Sequence, residues 1–248
     1  DVCDAACLAV NGALVEDTDD DNDGVLDVSD AFSLDAAASL DSDNDGQPDD
    51  FISTPNASCN QTCIDEALAN TTLSVDNDDD NDGTLDVNDA FPTDPAESID
   101  TDGDGTGNNA DTDDDGDGVP DGLDQFPLQA EASVDSDGDG KPDQFNSTPT
   151  AECNAACLAA AIAGSSLTED PDDDNDGLSD VLESSIGTST ILIDTDGDTL
   201  SDFYEVNFDG NSLAYTSGAD LNPLSIDTDG DGLNDNVDPA PLTPIGLA

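Results

Sequence analysis

The sequence has no histidine, no methionine and no tryptophan, and Lys141 is the one basic residue among 248. Each absence excludes something. Without clustered lysine or arginine there is no surface for nucleic acid or for an anionic membrane. Without histidine or arginine no catalytic constellation can be assembled, and aspartate pairs are the sole acid–base candidates; the sequence does not read as an enzyme. Two tyrosines and seven phenylalanines, within an apolar fraction of 34% that is rich in alanine, leave few side chains able to fill an ordinary core. No hydrophobic run approaches the length of a membrane span and no signal peptide is present, so no membrane insertion is expected. Opening on Asp1 with no methionine anywhere, the sequence reads as a processed chain or a fragment.

What is abundant is acid. Sixty-three Asp and Glu give a net charge of -62. Composition alone predicts a self-repelling, disordered chain, unless something neutralises it. The six cysteines fall in three C-x3-C pairs, Cys3/Cys7, Cys59/Cys63 and Cys153/Cys157. With no histidine to complete a zinc site, they indicate disulfides and an oxidising, extracellular or cell-surface location.

The acid is placed in register. Nine D-x-D-x-D runs begin at Asp19, Asp41, Asp78, Asp100, Asp113, Asp135, Asp172, Asp194 and Asp227, with spacings of 22, 37, 22, 13, 22, 37, 22 and 33. Such periodicity marks a repeat array. Position 3 is Asp21, Asp43, Asp80, Asp102, Asp115, Asp137, Asp174, Asp196 and Asp229; position 5 is Asp23, Asp45, Asp82, Asp104, Asp117, Asp139, Asp176, Asp198 and Asp231. Position 6 is Gly except for Thr199, and position 9 is Asp27, Asp49, Asp86, Asn108, Asp121, Asp143, Asp180, Asp202 and Asp235. Carboxylates at alternate positions ahead of a glycine converge on one hard cation while the glycine turns the backbone, which is a calcium signature. Position 7 varies freely, as expected where a backbone carbonyl is the ligand.

Position 12 is Asp30, Asp89, Asp111, Asp124, Glu183, Glu205 and Asp238 in seven loops, but Ile52 and Asn146 in the other two. The exceptions open the two 37-residue steps, which exceed the 13-residue step by 24 residues. Counting 24 onward from Ile52 reaches Asp76, and from Asn146 reaches Asp170. Residues 52–75 and 146–169 are therefore expected to be excursions that leave and return to one point, with Asp76 and Asp170 completing the loops begun at Asp41 and Asp135. Each is expected to hold a turn, a short helix and a return, and residues 1–16 look like a truncated third copy. Cysteines four apart on a helix sit near the upper end of disulfide range; bonding within each pair or between excursions or chains both remain open.

Position 2 sorts the loops into two kinds. Asp20, Asp79, Asp114 and Asp173 stand in one, each with a further Asp two residues upstream of its loop (Asp17, Asp76, Asp111, Asp170); Ser or Thr stands in the other. The extra aspartates of the first kind are expected to hold additional ions, so the count is at least nine calcium ions and more by this reckoning. The connectors AFSLDAAASL, AFPTDPAESI and QFPLQAEASV each offer one phenylalanine, Phe32, Phe91 or Phe126, and end on Leu40, Ile99 or Val134; a small satellite core per repeat is expected from them. The later connectors differ and suggest short strands, which divides the chain into 1–171 and 172–248 by repeat character.

The repeat D-x-D-x-D-G-x-x-D-x-x-D resembles the thrombospondin type 3 repeat of animal matrix proteins and bacterial surface proteins, over nearly the whole chain. The resemblance implies an irregular, mostly coil fold, an elongated array of calcium-wrapped loops, with more than one ion in many repeats. The C-x3-C excursions and Thr199 depart from that pattern. EF-hands share positions 1, 3, 5 and 6, yet the 13-residue step leaves no room for a flanking helix. A calcium-stiffened extracellular rod serving as stalk, fibre or matrix is the function expected from such an array. Head-to-tail docking of the chain with itself, through the closing PLTPIGLA and the N-terminal segment, would extend it into a filament. A calcium-dependent adhesin with a glycan or matrix partner, and a calcium reservoir or mineral-binding protein, are the alternatives. Sequons at Asn56, Asn60, Asn70 and Asn146 offer glycosylation sites on or at the edge of the excursions.

Overall fold

Aspartate, asparagine and glycine in alternation favour turns over ladders, because their short side chains bond their own backbone and tolerate left-handed conformations. The computed structural model describes residues 18–244, and it follows that preference: among them there is no strand, only an isolated bridge between Ser217 and Asp220, and helices are few. The short strands expected in the later connectors are therefore absent. The first of those connectors instead begins in a helix, and the second is held by turns. The N-terminal segment with Cys3, Cys7 and Asp17, and the last four residues of the closing segment, lie outside the described residues. No helix among the described residues is long and apolar enough to cross a membrane.

The chain divides into two compact units, Asp1–Asp111 and Thr112–Ala248. In the first, helix α1 (Gln61–Asn70) lies in the 52–75 excursion; in the second, α2 (Ala155–Gly164) lies in the 146–169 excursion. Both are capped by asparagine: the Asn60 side chain accepts from the Thr62 and Cys63 N–H groups, and Asn154 from Ala156 and Cys157. The disulfides Cys59–Cys63 and Cys153–Cys157 join each pair locally, with Cα atoms 5.4 and 5.2 Å apart. The first cysteine of each pair precedes the N-cap instead of lying on the helix. That extended entry brings the Cα distance to the middle of the usual range, so the wide separation expected for two cysteines on one helix does not arise.

Each excursion returns as the count of 24 requires. In the uninterrupted junction the Asp111 N–H donates to the Gly107 carbonyl at position 8, at 2.8 Å. The Asp76 N–H donates likewise to Pro48 and that of Asp170 to Pro142, both also position 8 and both at 2.9 Å. The bodies of the excursions fold back over earlier parts of the same unit. Ile52 N–H donates to the Ala37 carbonyl and Thr71 Oγ to Asp35 in the first; Asn146 N–H donates to Glu131 in the second, where Cys153 and Leu158 pack on Ala130.

Helices α3 (Asp180–Ile186) and α4 (Asp202–Val206) start inside loops, at position 9 of the loops begun at Asp172 and Asp194. Serine at position 8 is the cause. Ser179 accepts from Leu182 N–H and Ser201 from Tyr204 N–H, capping a helix, whereas leucine, proline or glycine at position 8 offers no such cap in six other loops and Asn234 in the last is followed by a turn only.

The satellite cores differ from expectation. Phe126 is buried, but Phe32 and Phe91 are half-buried, while Leu40, Ile99 and Val134 face solvent. The reason is backbone: the residue before each loop aims its carbonyl at the position 9 N–H, and its side chain is carried outward. Buried positions mix a few large apolar side chains, Ile64, Leu178, Val206 and Leu221, with alanines and with acids such as Asp23, Glu183, Asp202 and Glu205.

Candidate metal centres

All nine loops share one hydrogen-bonded frame. Position 5 N–H donates to the position 3 Oδ1 at 2.8–3.1 Å. Position 7 N–H donates to the position 5 Oδ1 at 2.5–3.0 Å. In seven loops position 6 N–H donates to the position 1 carboxylate. Each aspartate thus spends one oxygen on its own turn and keeps the other for the interior of the loop.

Position 9 closes the frame. Its N–H donates to the carbonyl preceding the loop at 2.9–3.1 Å, and its side-chain Oδ1 accepts the position 2 N–H at 2.8–3.0 Å, in every loop. Where position 2 is Ser42, Ser136, Thr195 or Thr228, its hydroxyl also takes the second oxygen at 2.6–2.8 Å. At Asn108 the direction reverses and the amide donates to Thr101 Oγ. Position 9 thus has one side-chain oxygen bound to protein in every loop, and both where Ser42, Ser136, Thr195 or Thr228 stands at position 2.

A second position went unremarked in the sequence. Position 4 is Asn22, Asn44, Asn81, Gly103, Gly116, Gly138, Asn175, Gly197 or Gly230, and all nine have φ between 56° and 81°. Asparagine and glycine are the residues that enter the left-handed region at least cost. Position 6 is left-handed too, with φ from 84° to 106°, and there Thr199 at 84° is the β-branched exception. Replacing Thr199 by glycine is expected to stabilise the ion-loaded chain by about 1 kcal/mol. Its Oγ accepts from Asn236 at 3.0 Å, but that amide also donates to the Asp198 carbonyl and keeps a partner. A urea midpoint that falls in Thr199→Gly, at fixed calcium, would show that the left-handed strain is not what limits this loop.

The spare oxygens converge. In each of nine groups of acidic side chains, among them Asp19/Asp21/Asp23, Asp78/Asp80/Asp82 and Asp100/Asp102/Asp104, one carboxylate oxygen per residue lies within 4.8 Å of the others. Position 12 carries buried oxygens of the same kind. Buried oxygens that meet no protein donor include those of Asp21, Asp23 and Asp30 in the first loop, Asp78, Asp80 and Asp89 in the third, and Asp172, Asp174 and Glu183 in the seventh. In the loop begun at Asp194 they belong to Asp196, Asp198 and both oxygens of Glu205, and in the last loop to Asp229 and Asp238. Position 9 contributes none. Not every spare oxygen is unengaged: Asp115 accepts Gln129 N–H at 2.7 Å, Asp117 accepts the Asn146 amide at 2.6 Å, and Asp176 accepts Phe203 N–H at 2.7 Å. Asn146, the outlier at position 12, therefore serves the loop begun at Asp113.

Electrostatics mark the same groups. Burial, followed by the fields of Asp196, Asp198 and Asp202, pushes Glu205 up to about 9. Burial and then Asp174 and Asp176 push Glu183 up to about 8, and burial is again the main cause that takes Asp115 up to about 7 and Asp21, Asp174 and Asp196 to about 6. Clustered carboxylates removed from water this way call for a positive partner.

Each cluster is an all-oxygen donor set of aspartates, most of them half-buried. No family model matches the chain, and no curated protein matches it. The metal assignment thus stands on the donor chemistry: oxygen-only carboxylate sets with flexible spacing suit a hard divalent cation, calcium above the softer transition metals.

The closing aspartates form separate clusters with the first kind of loop. Asp79 is raised to about 6 by burial and by Asp49, Asp86, Asp76 and Asp43; Asp173 is raised to about 7 by burial and by Asp180, Asp143 and Asp170. Asp79 Oδ1 and Asp173 Oδ1 are buried without a hydrogen bond. The loops on either side of each excursion also touch directly, through the Asn81 amide on Asp43 and the Asn175 amide on Asp137.

Three of the four sequons are built into the fold. Asn56 donates to the Asp23 carbonyl and accepts from Ser58 and Cys59; Asn60 caps α1; Asn146 is bound to Asp117, Ala130 and Ser133. Asn70 is exposed at the end of α1, where its amide donates to the Glu66 carbonyl.

Proposed function

We propose that the chain is an extracellular structural protein of the thrombospondin type 3 kind, whose loops wrap calcium and are stiffened by it into a rod or filament subunit. The observation that carries this reading is the division of labour within each loop. One oxygen of each position 3 and position 5 aspartate folds the turn, and many of the remaining oxygens, among them those of Asp21, Asp23, Asp80, Asp174, Asp196, Asp198 and Asp229, are buried with no protein donor to meet them. Positions 1, 3, 5 and 12 are the ion's ligands, with Asp76 and Asp170 supplying position 12 after the excursions. Position 9 orients the loop by its bonds to position 2. The groups around Asp79 and Asp173 supply ligands for additional ions beyond one per loop.

Two disulfides support an oxidising, extracellular setting. A structural role follows because ions held by neighbouring loops fix each repeat against the next, and a quasi-one-dimensional array so fixed resists bending. Negative-stain microscopy of the chain in millimolar calcium and in excess chelator tests this. Stiff rods or filaments in calcium that vanish in chelator are expected. Flexible or irregular particles in both would remove the structural reading.

A further inference from the structure

The two described excursions are near copies, and the residue at position 7 of the loop ahead of each is Gln47 in one and Lys141 in the other. Gln47 Nε2 donates to Asp45 Oδ2 at 3.0 Å, and its Oε1 accepts from Ser74 Oγ at 3.2 Å, two residues short of the closing Asp76. Lys141 reaches further. Its Nζ lies 2.5 Å from Asp139 Oδ2 and 3.3 Å from Asp170 Oδ2, and the Asp170 side chain is only 3% exposed. The ammonium therefore joins position 5 of its loop to the closing aspartate, the two carboxylates that a metal ion in this loop would bridge.

We infer that Lys141 is a built-in cation that holds the 146–169 excursion closed without metal and makes its loop the last to fill. The first part stands on the contacts alone; the second rests on the calcium reading above. A charge-assisted bond to a nearly buried carboxylate outweighs a neutral amide reaching an exposed hydroxyl, because Asp170 would otherwise be left as a lone buried charge. The same ammonium opposes an arriving divalent ion, which must displace it from two ligands or share them with it. The Gln47 loop has neither the clasp nor the competitor. It opens when ion-free and fills early.

The pair of excursions gives an internal control. Hydrogen exchange on the full chain, read by mass spectrometry, compares the returns 71–78 and 165–172 in chelator and through a calcium titration, in the native chain, Lys141→Gln and Gln47→Lys. In chelator at pH 7, below the expansion of the ion-free chain, the 165–172 return is expected to exchange roughly tenfold more slowly than 71–78. Lys141→Gln abolishes the difference, and Gln47→Lys confers protection on 71–78. In calcium, the native 165–172 return gains its protection at a higher concentration than 71–78, and Lys141→Gln lowers that midpoint several-fold. Equal exchange of the two native returns in chelator, or no change in Lys141→Gln, overturns the inference. If calcium slows neither return in any variant, the calcium reading fails, while the chelator comparison still decides whether Lys141 is the clasp.

Discussion

Stripping calcium from the chain at pH 9 is expected to swell it toward the dimensions of an unfolded polymer, a radius of gyration of roughly 55 Å for 248 residues. The frame of hydrogen bonds in each loop is made by short aspartate turns, which are weak against the cost of ordering the backbone, about 1–2 kcal/mol for each residue fixed. The large apolar contribution that balances this cost in ordinary domains is missing, since the buried hydrophobic residues among those described number twelve, and six of them are alanine or cysteine. With a dissociation constant of roughly 0.1 mM and about 1 mM free ion, each site contributes about 1.4 kcal/mol by mass action. Nine such sites give on the order of 13 kcal/mol, which matches the stability of a whole domain. Small-angle scattering with and without chelator measures the change. A radius that stays within a few ångströms of the loaded value would mean the loops are held by something other than the ion.

The second large effect concerns pH, and its sign depends on the ion. In the ion-free chain Glu183 and Glu205 are raised to about 8 and about 9, first by burial and then by neighbouring carboxylates. A group that binds its proton more tightly when folded favours folding at low pH. That contribution is whole below the unfolded value near 4.5 and is lost as pH rises through 8 and 9. The ion-free chain is therefore expected to expand between pH 7 and 9, a window in which ordinary carboxylates do not titrate. Replacing both by glutamine should remove that step while leaving the charge repulsion of the other acids in place. In calcium the dependence inverts, because protons compete with the ion for the same oxygens, and the loaded chain loses stability as pH falls. A Glu183→Gln/Glu205→Gln chain that still expands between pH 7 and 9 in chelator would show that these two acids are not the source.

Much of the site was legible because its chemistry is local. Asp at 1, 3 and 5 with Gly at 6 is a pattern that a dozen residues carry by themselves, and the structure returns the same turn nine times. The return of the excursions to Asp76 and Asp170 was legible by counting, since a repeat fixes where a detour must end. Position 9 was not fully legible: the bond from the position 2 N–H to its side chain, joined in four loops by a hydroxyl, leaves no mark in the choice of aspartate. The left-handed position 4 was open to view as an unbroken choice of asparagine or glycine, yet it was overshadowed by the carboxylates around it. The fate of Leu40, Ile99 and Val134 was hidden for another reason. An apolar residue beside a buried phenylalanine suggests a shared core, but the direction of a carbonyl toward position 9 decides where the side chain goes, and only the folded backbone contains that. The helices α3 and α4 had a signal in Ser179 and Ser201, each followed directly by aspartate at N1.

The bond between the position 8 carbonyl and the closing aspartate spans four residues from Gly107 to Asp111, but 28 from Pro48 to Asp76 and from Pro142 to Asp170. By the logarithmic law of chain closure the longer span costs about 1.7 kcal/mol more. A cysteine link within each detour removes roughly 2 kcal/mol of freedom from the unfolded chain, which cancels the difference. The junction therefore acts as a neutral insertion port. A self-braced module of any length with adjacent ends can be spliced in between position 8 and the closing aspartate, and the repeats on either side keep their register.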